Sequence, residues 1–275
     1  MKKLLSALLC LSLAFGISGC SNGGSDDGTT TVTIGVVGEY NAQFDTMNEL
    51  LADDGIHIEL KKYTDYASVN RALDDGEIDM NAFQHKAYLA NDIATFGYDI
   101  TSIGDTIIAP LSIYNNKDKI SSVADIKDGD TIYIPSDATN GGRALKLLEA
   151  AGLIVCDPAK GYMPTKLDIT EYKVNINIVE GESATLSKLL PDGVAAVING
   201  GNAYTAGLNP STDAIFTEDV NPETNPYVSE LINIIAVRTE DANNEVYQKV
   251  VDAYHTDEVK QTLQDAYDGA FLPAW

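Results

Sequence analysis

One short stretch of the chain, DMNAFQHKAYL from Asp79 to Leu89, combines a carboxylate, amides, aromatic rings and a histidine within eleven residues. Such a set can coordinate a metal ion, take part in catalysis or line a ligand pocket. Asp79 and His85 are a weak zinc pair, because they stand six positions apart with no second histidine nearby to complete a ligand set. The stretch is therefore interpreted as the wall of a ligand pocket. A buried core histidine beside Phe83 is the alternative.

A second candidate is Arg143, within the segment PSDATNGGRAL from Pro135 to Leu145. The segment predicts a strand that passes through Gly141 and Gly142 into a helix, with Arg143 in the first helical turn. A cation is disfavoured there by the helix dipole, so we expect an anion to compensate it. That anion is either a ligand carboxylate, held by the guanidinium and by free N–H groups of the turn, or a local aspartate on the surface.

A third candidate is the segment VINGGNAYTAGL, from Val197 to Leu208. It predicts an apolar strand that ends at Asn199 beside a pair of glycines. Open parallel sheets bind ligands at the carboxyl ends of their strands. The three segments are therefore expected to meet at one site.

Motifs of catalysis are missing from the sequence. It contains no G-x-S-x-G elbow, no phosphate-binding P-loop and no G-x-G-x-x-G after a strand. Paired acids, such as Asp53 with Asp54 and Asp74 with Asp75, stand beside glycines that end predicted helices, where solvated carboxylates are the rule. The sequence therefore predicts a binding protein without a cofactor or a metal site, rather than an enzyme.

Strand and helix patterns alternate in the first part of the chain. TVTIGVV (31–37) and IHIEL (56–60) are typical of strands in a parallel sheet. Apolar residues at helical spacing follow each strand: Phe44, Met47, Leu50 and Leu51 after the first, and Val69, Ala72 and Leu73 after the second. This order predicts a parallel sheet with helices packed on it.

A second α/β series begins after a polar break at 114–122. Its predicted strands are 131–135, 176–179 and 193–199. The last part of the chain predicts a strand at 231–237 and two helices, the second with Thr256 as its N-cap. Two paired α/β units favour a small-molecule cleft between them.

The first 20 residues have the features of a secretory signal: two lysines, an apolar run too short to span a bilayer, and small residues before a cut site. The motif ISGC, which ends at Cys20, resembles the lipobox of bacterial lipoproteins, in which the cysteine receives a diacylglyceryl anchor. An ordinary signal with an incidental cysteine is the alternative. Residues 21–31 are polar and predict a flexible tether, so the fold is expected to begin near Val32.

Charge and cysteine content exclude several classes of partner and site. The formal net charge of −23, from 41 acidic and 18 basic residues, repels nucleic acid and anionic lipid, so neither is an expected partner. Of the three cysteines, Cys10 lies in the signal and Cys20 is the predicted lipid site. Cys156 therefore has no disulfide partner and is expected to be a small apolar filler.

Four segments together resemble the methionine-binding lipoproteins of ABC importers, a family that includes the NlpA-type lipoproteins. They are DGEIDMNAFQHKAYL, PSDATNGGRAL, AVING and NPYVSELINIIAVRTED, and the similarity runs from about Val32 to Trp275. The resemblance implies a periplasmic-binding-protein-like α/β fold, with two α/β lobes, a ligand cleft between them and two crossing segments. Lobe 1 would comprise 32–111 and 233–275, and lobe 2 would comprise 112–232.

The resemblance also implies roles for particular residues. Arg143 would bind the ligand carboxylate with help from Asn140. Asn199 and Asn233 would bind the polar end of the ligand, and Asn202 stands at that end, where the family often has a tyrosine. The ligand side chain would lie in a pocket of four rings: Tyr66, Phe83, His85 and Tyr88.

The implied function is that of a substrate-binding lipoprotein, which captures methionine (D or L) and delivers it to a membrane permease driven by an ATPase. It would be held on the extracytoplasmic face of the cell membrane by the anchor on Cys20. These residue types suit a zwitterion, because a guanidinium can take its carboxylate, amide oxygens its ammonium and aromatic edges its thioether. Another neutral amino acid, a methionine-containing dipeptide, or a role as an adhesin are the alternatives.

Overall fold

The structure, a computed structural model, describes residues 28–275. The predicted signal, Cys20 and most of the predicted tether lie outside the described residues. The strands are β1 (Thr30–Val37), β2 (Ile56–Tyr63), β3 (Met80–Asn81), β4 (Ile100–Ile108), β5 (Ser112–Asn115), β6 (Thr131–Pro135), β7 (Ile154–Cys156), β8 (Ile169–Tyr172), β9 (Asn177–Gly181), β10 (Ala195–Ile198), β11 (Ala214–Thr217), β12 (Ile232–Arg238) and β13 (Leu272–Pro273). The α-helices are α1 (Ala42–Leu51), α2 (Ala67–Asp74), α3 (Lys86–Phe96), α4 (Ala138–Ala150), α5 (Leu186–Leu189), α6 (Gly200–Thr205), α7 (Glu245–Tyr254) and α8 (Asp257–Tyr267).

The larger sheet has six strands in the order β13-β4-β12-β3-β1-β2. β1 runs parallel to β2, as the first α/β series predicts, and to β3, which the sequence did not predict as a strand. β12 is antiparallel to both of its neighbours. The sheet is therefore mixed. Apolar residues on α1, α7 and α8 pack with one cluster of its core, and those on α2 and α3 with another.

The smaller sheet has five strands in the order β11-β5-β10-β6-β9. β6 runs parallel to β9 and β10, and β5 is antiparallel to β10 and β11. Its core packs Ile113, Ile132 and Val197 against Leu147 and Leu148 of α4. Cys156 is buried in the same cluster, which agrees with its expected role as an apolar filler.

The chain crosses between the sheets twice. The first crossing segment, 109–111, joins β4 to β5, and the second, 218–231, joins β11 to β12. Two α/β halves linked in this way form the periplasmic-binding-protein-like fold that the resemblance implies. The boundaries of the two lobes stay a prediction. We refer below to the half with the larger sheet and the half with the smaller sheet.

Several sequence predictions need correction at their edges. β1 begins at Thr30, so the predicted tether overlaps the first strand. The predicted polar break at 114–122 starts inside a strand, because Tyr114 belongs to β5. Leu50, placed on the apolar face of α1, is 38% exposed. Thr256 is confirmed as the N-cap of α8, since its side chain accepts a hydrogen bond from the N–H of Val259.

No helix within 28–275 is both long enough and apolar enough to cross a bilayer.

Candidate functional site

A cleft between the two halves brings together most of the predicted site residues. It contains about 400 Å³ of space between atoms. The residues that line it come from the ends of strands and from the loops and helices that follow them: Tyr40, Tyr66, Phe83, Gln84, His85, Tyr88, Ala109, Asn140, Arg143, Asn199, Gly200, Gly201 and Asn233. Eight of the nine predicted ligand-binding residues are among them, and Asn202 is the exception.

Arg143 is buried at one end of the cleft and is held by an acid from the second crossing segment. Its Nε donates to Glu218 Oε1 at 2.8 Å, and its Nη2 donates to Glu218 Oε2 and to the carbonyl of Ala109, the latter at 3.0 Å. Arg143 and Glu218 are 2% and 8% exposed, so both charges are removed from solvent. A two-point ion pair of this kind fixes the plane of the guanidinium.

Glu218 is also hydrogen-bonded to neighbouring elements. The hydroxyl of Tyr162 donates to its Oε1, and the N–H of Leu111 donates to its Oε2 at 3.1 Å. The N–H of Glu218 donates in turn to the carbonyl of Leu111 at 2.9 Å, so this residue connects the two crossing segments. Burial alone would raise the pKa of Glu218, but Arg143 and the hydroxyl of Tyr162 together hold it below its usual value. The carboxylate is therefore ionised at neutral pH.

The predicted surroundings of Arg143 are wrong in three respects. Helix α4 begins at Ala138 with Asp137 as its N-cap, which places Arg143 beyond the first turn. Gly141 and Gly142 lie inside the helix, so the N–H groups of this segment are not free; that of Gly141, for example, bonds the carbonyl of Asp137. The anion that the described residues place beside Arg143 is the buried Glu218 and not a local aspartate on the surface. Binding of a ligand carboxylate by Arg143 stays a prediction.

The glycine pair in α4 serves close packing. A Cβ on Gly142 would lie 3.0 Å from Cα of Met163, and one on Gly141 would lie 3.0 Å from the carbonyl oxygen of Pro135. Backbone neighbours cannot yield as a flexible side chain can, so these positions lack room for a larger residue. The close approach at Gly142 positions the loop that carries Tyr162 beside Glu218.

His85 connects the two halves across the cleft. Its Nδ1 accepts a hydrogen bond from the N–H of Tyr88 at 3.1 Å, which makes the ring the N-cap of α3. In the neutral ring the proton is then on Nε2, which lies 3.2 Å from Oδ1 of Asn140 in the other half and donates to it. Burial, and secondarily the charge of Arg143, lowers the pKa of His85 to about 4. The ring is therefore neutral at physiological pH.

Because of His85, we expect the free energy of unfolding to increase as the pH rises from about 4, the pKa of the buried ring, to 6.5, the ordinary pKa of histidine. In that window the unfolded chain binds a proton that the folded chain does not, so a falling pH favours unfolding. His85→Asn keeps a capping side chain for α3 and removes the titrating ring. Urea denaturation at about pH 4.5 and about pH 6.5 should therefore give a smaller difference in unfolding free energy for the variant than for the wild type. Equal differences would contradict this assignment.

Asn140 and Asn199 form a hydrogen-bonded pair at the centre of the cleft. Asn199 Nδ2 donates to Asn140 Oδ1 at 2.8 Å, while Asn140 Nδ2 donates to the carboxylate of Asp137 at 3.0 and 3.2 Å. The side-chain oxygen of Asn199 is buried and has no hydrogen-bond partner among residues 28–275. Leaving a buried acceptor unpaired costs about 1–3 kcal/mol, so this oxygen is suited to a donor on a bound molecule.

Three aromatic rings form the apolar wall of the cleft. The centroids of Tyr66, Phe83 and Tyr88 lie 5.8 to 5.9 Å from one another, and Tyr88 meets each of the other two rings edge to face. His85 packs against the same Tyr88 ring at 6.3 Å. The predicted side-chain pocket is thus assembled in one place, although its role in binding stays a prediction.

The remaining predicted residues occupy two different positions. Asn233 lines the cleft and forms an isolated antiparallel bridge with His85. Asn202 instead borders a wider groove on the outer side, and its Nδ2 donates to the hydroxyl of Tyr66 at 2.9 Å. Asn202 therefore does not line the cleft but bonds Tyr66, which does.

Asp79, the acid of the opening stretch, points away from the cleft. Its carboxylate accepts hydrogen bonds from the N–H of Thr33 at 2.8 Å and from the hydroxyl of Tyr247 at 3.1 Å. It therefore joins β3 to its neighbours in the larger half. Among the described residues, no group of three or more histidine, cysteine or acidic side chains is placed to hold a metal ion.

Sequence reasoning did not identify several residues of the site. Tyr40, Gly200 and Gly201 could have been found, because they follow predicted strands at the ends where ligands bind. Glu218 could not be identified from the sequence, because it lies 75 residues from Arg143 on a segment with no recognised motif. Gln84 is held by a network of buried amides that includes Asn70.

Two α/β halves crossed twice by the chain, with a buried guanidinium and an aromatic wall in the cleft between them, define a substrate-binding protein of the periplasmic type. The chain belongs to the NlpA lipoprotein family, whose sequence model matches residues 32–275.

Relatives with recorded names and structures agree with this membership. The D-methionine-binding lipoprotein MetQ of Salmonella typhimurium is 36% identical, over 99% of this chain and 98% of the relative. The substrate binding protein of a methionine transporter from Streptococcus pneumoniae has a TM-score of 0.83 at 34% identity, over 89% of this chain and 96% of that one. A nutrient binding protein from Burkholderia cenocepacia, solved bound to methionine, has a TM-score of 0.82 at 33% identity, over 89% and 100% of the two chains.

Proposed function

We propose that this chain is the substrate-binding lipoprotein of an ABC importer and that it captures methionine, D or L, in the cleft between its two halves. The observation that carries the proposal is the set of complementary groups in that cleft: a buried cation, an unpaired amide oxygen and a wall of aromatic rings. The names of the relatives support methionine as the ligand.

The ligand carboxylate binds to Arg143. The contacts of the guanidinium with Glu218 and Ala109 use Nε and Nη2, which leaves Nη1 for the ligand. Because Glu218 already balances the charge of Arg143, the pair is neutral overall. A zwitterion, which is neutral too, can therefore enter without leaving an uncompensated charge in the cleft.

The ammonium and the side chain of methionine bind to the other two features. The unpaired Oδ1 of Asn199 accepts a hydrogen bond from the ammonium, with Asn233 at the same polar end. The thioether lies against Tyr66, Phe83 and Tyr88, where each sulfur–aromatic contact contributes about 0.3 to 1.5 kcal/mol. Asn140 contributes chiefly by holding Asn199, because its own side-chain oxygen accepts from both Asn199 and His85.

The partners follow from the same proposal. The loaded protein delivers methionine to a membrane permease driven by an ATPase, and a lipid on Cys20 holds it on the extracytoplasmic face of the membrane. The chain binds its ligand and does not transform it, so we assign no catalytic residue and no cofactor.

Calorimetry with L-methionine, D-methionine, leucine and norleucine tests the proposed function. We expect a dissociation constant below about 1 μM for at least one methionine enantiomer and weaker binding of norleucine, which lacks the sulfur. A methionine concentration of 100 times that constant should raise the unfolding free energy by about 2.7 kcal/mol.

Mass spectrometry of small molecules that copurify with the native protein is an independent check. Tighter binding of leucine, or copurification of a methionine-containing dipeptide, would reassign the ligand within the class of substrate-binding proteins. No binding of any amino acid or peptide would favour an adhesin.

A further inference from the structure

We propose that Asp137 is a positioning residue that sets the direction of a chain of amide hydrogen bonds, so that the cleft presents an acceptor to its ligand. The chain runs from Asp137 through Asn140 to Asn199. Its consequence is selectivity for ligands that carry an amino group over analogues that lack it. This inference rests on the proposed function, which supplies both the binding site and the ligands used in the test.

Asp137 fixes one end of the chain. It is the N-cap of α4 and accepts hydrogen bonds from the N–H of Asn140 at 2.9 Å and from the hydroxyls of Thr139 and Ser183 at 3.1 and 3.2 Å. The side-chain NH₂ of Asn140 also donates to it. An ionised carboxylate has no hydrogen to donate, so the Asn140 amide must turn its NH₂ end toward Asp137.

The oxygen end of the Asn140 amide then faces the cleft. There it accepts from Nε2 of His85 at 3.2 Å and from Nδ2 of Asn199 at 2.8 Å. His85 requires the same orientation independently, because its Nδ1 is occupied by the N–H of Tyr88 and its proton is on Nε2. Asp137 and His85 thus bond opposite ends of the Asn140 amide, and both require the same orientation of it.

The orientation of Asn140 fixes that of Asn199, which faces the ligand site. Its NH₂ end is directed at Asn140, and its oxygen is consequently the end left in the cleft, buried and unpaired. With the amides reversed, the cleft would present an NH₂ group instead. That arrangement would favour a carbonyl or hydroxyl on the ligand and repel an ammonium.

The experiment compares two ligands on three variants by calorimetry at neutral pH. The ligands are methionine and 4-(methylthio)butanoate, which has the same carboxylate and thioether but no amino group. Asp137→Ser keeps a side-chain oxygen to cap α4 and removes the acceptor for the Asn140 side chain. Asp137→Asn keeps an amide oxygen for that bond. Ser183→Ala is the matched control, since it removes a different donor to the same carboxylate.

We expect Asp137→Ser to weaken methionine binding by about 10-fold or more, a change of about 1.4 kcal/mol, and to change the binding of the deamino analogue by less than about 3-fold. Asp137→Asn should retain more of the preference for methionine than Asp137→Ser, and Ser183→Ala should behave as the wild type does. An equal loss for both ligands in Asp137→Ser would show only structural damage and would overturn the proposal. Unchanged methionine binding in that variant would overturn it as well.

Failure of the proposed function is distinguishable from failure of this inference. The wild type alone tests methionine as the ligand. If leucine binds in its place, leucine and 4-methylpentanoate, its deamino analogue, serve as the pair, and the expected dependence on Asp137 is the same. If the wild type binds neither amino acid, the proposed function and the inference are both wrong.

Discussion

Arg143→Lys is expected to lower the affinity for methionine by about 100-fold. The arginine uses Nε and Nη2 to bond Glu218 and the carbonyl of Ala109. In the proposed complex, Nη1 bonds the ligand carboxylate. A lysine has one nitrogen on a flexible stem and cannot reproduce this planar set of donors. A hydrogen bond to a charged group contributes about 1.5–3 kcal/mol, which corresponds to a loss of this size. Calorimetry measures it.

A double variant separates binding from folding. Arg143→Ala should lower the unfolding free energy by about 3–5 kcal/mol, because it leaves the buried carboxylate of Glu218 without its partner. Arg143→Met combined with Glu218→Gln removes both charges, so most of that stability should return in urea denaturation, while methionine binding stays absent. Binding by the double variant, or an affinity of Arg143→Lys within about 3-fold of the wild type, would remove Arg143 from the site.

Gly201→Ala is expected to weaken methionine binding by about 10- to 100-fold by holding the two halves apart. A Cβ on Gly201, at the start of α6, would lie 2.3 Å from Cε1 of Tyr40 in the opposite half. Tyr40 is 9% exposed, and its ring packs on Phe271 at a centroid distance of 5.1 Å, so it has little freedom to move. Overpacking of this kind costs about 1–3 kcal/mol, and separation of the halves relieves it.

Solution scattering and a second substitution test whether this clash holds the two halves apart. With saturating ligand, Gly201→Ala should have a larger radius of gyration than the wild type. Tyr40→Ala removes the ring that the new methyl group meets. Adding Gly201→Ala to Tyr40→Ala should therefore weaken binding far less than Gly201→Ala does in the wild type. Equal losses in both backgrounds would show that the glycine is needed for another reason.

The sequence predicted six of the thirteen strands within residues 28–275, namely β1, β2, β6, β9, β10 and β12, because each is an apolar run bounded by clear breaks. The other strands, including the nine-residue β4, were not predicted. TIYIP at 131–135 is observed as a strand with the same bounds, and β12 differs from its prediction by one residue at each end. The mixed direction of the larger sheet was not foreseen. β4 and β12 pair over long range, and strand patterns do not encode which neighbour a strand will choose.

The site was predicted in part, and the limits have physical causes. Asn140, Arg143 and Asn199 lie on recognisable motifs and are found together. The reasoning for Arg143 was wrong, since a glycine pair was interpreted as a turn when it provides room for a neighbouring backbone. Its true counter-ion, Glu218, could not be predicted, because the pairing depends on where the second crossing segment passes in three dimensions. The hydrogen bond of Asn202 to the hydroxyl of Tyr66 could likewise not be predicted, because the two residues lie 136 positions apart in the chain.

The bonds of Glu218 have a mechanical consequence. This residue balances Arg143 and also joins Leu111 on the first crossing segment. In the proposed complex, the ligand carboxylate therefore lies beside the axis about which one half would rotate against the other. In such a rotation, a displacement of a fraction of an ångström near the axis corresponds to a much larger displacement at the outer edges of the two halves. A partner that contacts only the outer faces of the two halves would therefore detect whether the cleft is occupied.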